Sequence, residues 1–113
     1  LNGKIHGLAV RGPKSTVSVT DFVATLSQEA TAEDVNQAYS EASSGNLEGI
    51  LSFTDEPLVS VDFKGNPHSS IIDGESTMAI SGKMVKVVGW YDNEWGYSCR
   101  TADLASYLTD KGF

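Results

Sequence analysis

A chain of 113 residues and 12.1 kDa has room for one domain. Its 40% hydrophobic and 20% charged residues exclude intrinsic disorder, and no run of about 18 apolar residues exists to cross a bilayer. Fifteen acidic against eight basic side chains leave a net charge of −7, which repels phosphate backbones and anionic lipid, so neither nucleic acid nor membrane is an expected partner.

From the amino terminus, Lys4 to Val10 is predicted as a strand, stopped by Gly12-Pro13. Thr16 to Leu26, rich in Val, Thr and Phe, is predicted as a second. Its alternation breaks near Asp21, which predicts a bulge or strong twist there. Thr31 then caps a helix whose first turn carries Glu33 and Asp34 at the positive end of the dipole. Val35, Ala38, Tyr39 and Ala42 form its apolar face, and Gly45 is expected to end it in a left-handed conformation.

Strands follow at Gly49 to Phe53, Leu58 to Phe63 and Thr77 to Ile80, with Pro57 and Gly65-Asn66-Pro67 as breaks. Ser81-Gly82 is expected to be a two-residue hairpin turn into a strand over Lys83 to Tyr91. That strand's near-continuous apolar content predicts cover on both faces. A second helix is predicted from Trp95 to Thr109, with Tyr97, Leu104, Ala105 and Leu108 on one face and Gly112 after it. This order fits an α+β layer, a mainly antiparallel sheet with helices packed on one face.

Chemistry is sparse. Cys99, the one cysteine, rules out an internal disulfide and points to a reducing, cytoplasmic compartment. It lies near a helix N-terminus but has no neighbouring histidine in sequence, and reads as a small packed hydrophobe. His6 and His68 lack partners at metal-ligand spacing, and no phosphate-binding glycine loop occurs. Asp55-Glu56, Asp73, Glu75 and Asp110 read as solvated turns.

Two stretches stand out. Arg11 closes Gly7-Leu8-Ala9-Val10-Arg11-Gly12-Pro13, where a guanidinium at a strand end suits a phosphate or carboxylate; spacing alone favours a surface arginine. Trp90-Tyr91-Asp92-Asn93-Glu94-Trp95-Gly96-Tyr97 puts four aromatics at a strand-to-helix junction. There the Asn93 amide can cap the helix, or it can pair with a ligand carboxamide flanked by aromatic rings.

These stretches, with Leu1-Asn2-Gly3-Lys4, Val17-Ser18-Val19, Leu47-Glu48-Gly49-Ile50-Leu51, Asp55 to Phe63, Val85-Lys86, Ser98 and Arg100, resemble the C-terminal part of phosphorylating glyceraldehyde-3-phosphate dehydrogenase across the whole chain. The resemblance implies that residues 1–113 form the C-terminal portion of the catalytic domain of a cytoplasmic homotetramer (plastid-borne in a photosynthetic form). That enzyme oxidises glyceraldehyde 3-phosphate with NAD or NADP and inorganic phosphate to 1,3-bisphosphoglycerate. By that resemblance Arg11 binds substrate phosphate, while Asn93 and Tyr97 contact the nicotinamide.

The family's catalytic cysteine and histidine match nothing here: Cys99, His6 and His68 lie elsewhere in its pattern, so no catalytic residue falls in this chain, and no metal is implied. The dinucleotide-binding domain is likewise absent. The opening at Leu1 reads as part of a longer polypeptide, inactive by itself. Gly12-Pro13-Lys14-Ser15 departs from the family's valine and Pro-Thr after the arginine, which loosens the backbone at Arg11 by about 1 kcal/mol. A non-catalytic interaction module of the same fold and a sister erythrose-4-phosphate dehydrogenase are the alternatives.

Overall fold

The structure is a computed structural model that describes residues 2–113; Leu1, the first residue of the amino-terminal motif, lies outside the described residues. Four strands, β1 (Ser18–Thr25), β2 (Leu51–Thr54), β3 (Ser70–Ile80) and β4 (Met84–Tyr91), form one sheet in the order β1-β4-β3-β2. β4 pairs antiparallel with β1 and β3, and the short β2 pairs parallel with β3. Two helices, α1 (Ala32–Ser43) and α2 (Trp95–Asp110), complete an α+β fold.

Alternation along β3 and β4 divides the core between the two sides of the sheet. On one side Leu51, Ile72 and Val87 are buried under Val35, Tyr39 and Ala42 of α1, with Phe53 beside them. On the other, Val17, Phe63 and Ile71 pack with Leu58 and Trp90, and Phe63 stacks on the Trp90 ring at 5.6 Å. β4 is therefore covered on both faces over its C-terminal half, through Val87 and Gly89 on one side and Trp90 on the other. Met84 at its start is exposed.

Helix α1 starts as its sequence predicts. The Thr31 hydroxyl accepts from Asp34 N at 3.1 Å and the Asp34 carboxylate accepts from Thr31 N at 2.9 Å, a reciprocal capping box. Its end differs from expectation. Gly45 is not left-handed; the chain leaves through Ser44 at φ −97, and the positive φ falls on Gly49. Glycine is still required at 45, because a Cβ there would lie 2.9 Å from the Glu41 carbonyl oxygen.

Three strand expectations are corrected. Lys4 to Val10 has no regular structure, and Ile5, Leu8 and Val10 are all largely exposed: its apolar side chains meet no ladder partner among the described residues. Leu58 to Phe63 closes into a 3-10 turn (Ser60–Phe63), because the Asp62 carboxylate accepts from Val59 N at 2.8 Å. β1 runs in unbroken register from Ser18 to Thr25; the bulge lies in β3, between Asp73 and Met78. Asp73 there is no solvated turn residue. Its carboxylate accepts from Ser76 N, the Ser76 hydroxyl and Trp90 Nε1, and so clasps the bulge.

The hairpin between β3 and β4 uses Ser81, Gly82 and Lys83, one residue more than expected, with Ser81 and Gly82 both at positive φ. α2 matches its predicted span, and Gly112 ends it at φ +84. From Thr101 to Phe113 every residue is exposed, including Leu104, Tyr107 and Leu108 of the predicted apolar face, so only α1 lies on the sheet along its length.

Candidate functional site

The junction of β4 and α2 is organised by Asp92. Its side chain is 4% exposed, and its carboxylate accepts four hydrogen bonds. Oδ1 takes the N–H groups of Glu94 at 3.1 Å and Trp95 at 3.0 Å, the donors left free in the first turn of α2, and a long contact of 3.4 Å from the Thr16 hydroxyl. Oδ2 takes Gly65 N at 2.9 Å. The Trp95 N–H first, then the Gly65 N–H, hold this carboxyl below the usual carboxylate range against the opposing effect of burial.

The capping role expected of Asn93 therefore belongs to its neighbour. Asp92 stands three residues before the first helical position and Glu94, directly before it, makes no side-chain cap bond; the signal in the sequence is the habit of an aspartate side chain to accept the N–H groups two and three residues on.

Released from capping, the Asn93 side chain is exposed, and its Oδ1 accepts from the Ser18 hydroxyl at 3.1 Å. Among the described residues its Nδ2 has no partner. Asn93 and Tyr97, the latter 76% exposed, line one recess of about 210 Å³ together with Ser69, Tyr91, Asp92, Gly96 and Arg100. Gly96 permits this close fold, since a Cβ there would meet the His68 carbonyl oxygen at 2.9 Å. Arg100 fastens α2 to the chain before β2 by donating to Gly49 O at 2.8 Å, and it pairs with Asp103 on its own helix.

An outward amide donor beside an open phenol ring matches the chemistry of a flat ring carrying a carboxamide, so these residues fit a nicotinamide. Asp92 also walls a second, more open recess of about 440 Å³ with Ser15, Thr16, Lys64, Gly65, Glu94, Trp95 and Ser98.

The structure does not bring Arg11 to either recess. It is exposed in the irregular segment before β1, and among the described residues it forms no ion pair. Cys99 is half-buried on α2, His6 is exposed in the amino-terminal segment, and His68 holds Asn66 Oδ1 through Nδ1 at 2.8 Å. Among the described residues no group of three or more acidic, cysteine or histidine side chains is placed to hold a metal ion.

A family profile described as glyceraldehyde 3-phosphate dehydrogenase, C-terminal domain, matches residues 1–93. Glyceraldehyde-3-phosphate dehydrogenase 1 of Bacillus subtilis is 56% identical over 112 residues, 99% of this chain and 33% of its own length. The glyceraldehyde-3-phosphate dehydrogenase of Geobacillus stearothermophilus gives the same identity and coverage, and glyceraldehyde-3-phosphate dehydrogenase 2 of Staphylococcus aureus is 56% identical over 108 residues, 96% of this chain and 31% of its own. The chain thus spans about a third of the length of the curated relatives it matches. On this match the chain belongs to the glyceraldehyde 3-phosphate dehydrogenase family, in the part that forms its C-terminal domain.

Proposed function

We propose that residues 1–113 act as the C-terminal portion of the catalytic domain of an NAD- or NADP-dependent, phosphorylating glyceraldehyde-3-phosphate dehydrogenase. The recess of Asn93 and Tyr97 carries this reading: an unpaired amide donor and an exposed aromatic ring, held at a rigid strand-to-helix corner. Asn93 Nδ2 donates to the carboxamide of a bound nicotinamide, and the Tyr97 ring lies beside it. Nicotinamide, when bound, supplies the hydride acceptor.

Arg11 grips the substrate phosphate. Its freedom from any carboxylate among the described residues supports this, because a guanidinium already paired would have to break that pair first. The nucleophilic thiolate and the general base belong to protein outside this segment, since Cys99 sits on α2 away from both histidines in sequence.

The complete enzyme is a cytoplasmic homotetramer. Large apolar side chains exposed on the sheet, Val19, Phe22, Val23, Met78 and Ile80, and on α2, Leu104, Tyr107 and Leu108, support burial against further protein. The same surface favours the second reading, a non-catalytic interaction module.

Steady-state kinetics on the complete polypeptide carrying this segment separates these readings. The enzyme reading expects oxidation of glyceraldehyde 3-phosphate that depends on inorganic phosphate. Arg11→Ala should then raise KM for the aldehyde, and Asn93→Ala should raise KM for the dinucleotide. No turnover with either NAD or NADP refutes the enzyme reading and leaves the module, whereas a preference for erythrose 4-phosphate assigns the sister activity.

A further inference from the structure

An asparagine amide has two faces, one donating and one accepting, and rotation about its last bond exchanges them. What presents one face rather than the other to a ligand has to come from a neighbour. At Asn93 that neighbour is Ser18. Its hydroxyl donates to Oδ1 at 3.1 Å, so Oδ1 is engaged and Nδ2 is the group left for the recess.

Ser18 is itself well placed to act as a fixed reference. It is the first residue of β1 and lies opposite Tyr91 in the antiparallel ladder, two residues before Asn93. On its other side Val17 has φ 71, a left-handed backbone conformation that a β-branched residue rarely adopts. Burial of the Val17 side chain with Phe63 and Ile71 holds it there. Thr16, one residue earlier, touches Asp92. A strained residue is thus flanked by two hydroxyls that reach consecutive residues of the cofactor corner, Asp92 and Asn93.

We propose that Ser18 is a positioning residue for cofactor recognition: it holds the Asn93 amide so that Nδ2, a donor, faces the carboxamide carbonyl of the dinucleotide. This rests on the reading of Asn93 given above. In this role Ser18 touches neither substrate nor reacting atoms. Its effect passes through Asn93 alone.

Equilibrium binding to the complete polypeptide tests it, using the preferred dinucleotide (NAD or NADP), its 3-acetylpyridine analogue and ADP-ribose. The analogue keeps the carbonyl acceptor and lacks the amide donor; ADP-ribose lacks the ring altogether. Without the Ser18 hydroxyl the amide can present either face, so about half of the molecules offer Nδ2 and apparent affinity for a ligand that needs it falls by that fraction. Ser18→Ala should therefore weaken the analogue about twofold. The dinucleotide should weaken less, because a released Asn93 can turn Oδ1 toward the carboxamide NH₂. Ser18→Thr should restore both, and ADP-ribose binding should be unmoved by either variant.

Two results overturn the proposal. One is unchanged affinity for the analogue in Ser18→Ala. The other is a loss that ADP-ribose shares equally, which would mark general disruption. Asn93→Ala is measured alongside. If it leaves dinucleotide affinity unchanged, the reading of Asn93 fails; if it weakens binding while Ser18→Ala does not, only the role of Ser18 fails.

Discussion

Asp92 ties three segments together, and its removal should show that in stability. In Asp92→Ala the Glu94 and Trp95 N–H groups lose their acceptor, which is the loss of a helix cap and costs about 1 kcal/mol. The Gly65 N–H loses its partner too. At a position 4% exposed, water does not readily replace that partner, and an unpaired buried donor costs about 1–3 kcal/mol. The Thr16 contact, at 3.4 Å, adds little.

The expected loss is about 3 kcal/mol, a large part of the stability of a domain this size. Asp92→Asn keeps one carbonyl oxygen but points an NH₂ at one of the same donors, so about half that loss is expected. Urea unfolding of the 113-residue chain at pH 7, followed by far-ultraviolet circular dichroism, measures both. An Asp92→Ala chain within about 0.5 kcal/mol of the parent would refute the assignment of Asp92 as the organising group, since a fully bonded buried carboxylate cannot be that cheap to lose.

Acidity gives an independent test of the same group. The folded state holds the Asp92 carboxyl below its ordinary value of 3.8, so in acid the unfolded chain binds a proton more readily than the folded one. The contribution of Asp92 is complete above 3.8 and lost as pH falls through the lower folded value. Stability of the parent chain should decline on that acid limb, and Asp92→Asn should flatten it. A residual slope is expected from Asp34, which the Thr31 backbone N–H, and then its hydroxyl, hold low in the same direction. Equal acid limbs in parent and variant would show that the depressed group is not Asp92.

Other substitutions separate strong contacts from weak ones. Thr31→Ala should cost about 1 kcal/mol in urea unfolding, because it removes half of the capping box of α1. Gly96→Ala should cost about 1–3 kcal/mol and disturb the recess of Asn93, since the added Cβ must displace a backbone carbonyl at 2.9 Å rather than a flexible side chain; a neutral melting temperature would contradict this. Lys86→Ala should change stability by less than about 1 kcal/mol even though its ammonium lies 2.9 Å from Asp21, because both side chains are well solvated; raising the salt should shrink the difference further.

What the sequence disclosed and what it withheld divide along a physical line. The capping box of α1 is a local bond pattern between residues three apart, and the glycine ending α2 needs only its own backbone freedom, so both were legible. A strand needs a neighbour. Lys4 to Val10 and Leu58 to Phe63 show strand-like composition, but the first finds no ladder partner among the described residues, and the second is diverted by one carboxylate reaching back three residues. Asp73 looked solvated because nothing local reveals that Trp90, 17 residues on, brings its indole N–H to it across the sheet.

The candidate site repeats this division at the scale of one residue. The motif around Asn93 spans the strand-to-helix corner whose recess Asn93 and Tyr97 line, but the choice between Asp92 and Asn93 as the cap depends on which side chain points inward after β4. That direction is set by pairing. Trp90 opposes Ile71 on one face and Gly89 opposes Ile72 on the other, so the ladder fixes how the chain leaves the sheet, and Asp92 emerges facing Gly65 and Thr16 while Asn93 emerges facing Ser18. The partners lie 27, 76 and 75 residues away, too far for any spacing rule. A substitution that shifted the β1–β4 register by one residue would therefore carry Thr16 and Ser18 away from Asp92 and Asn93 while the Gly65, Glu94 and Trp95 bonds of Asp92 stayed in place, and on the proposed role of Ser18 it should weaken cofactor recognition with the entire motif intact.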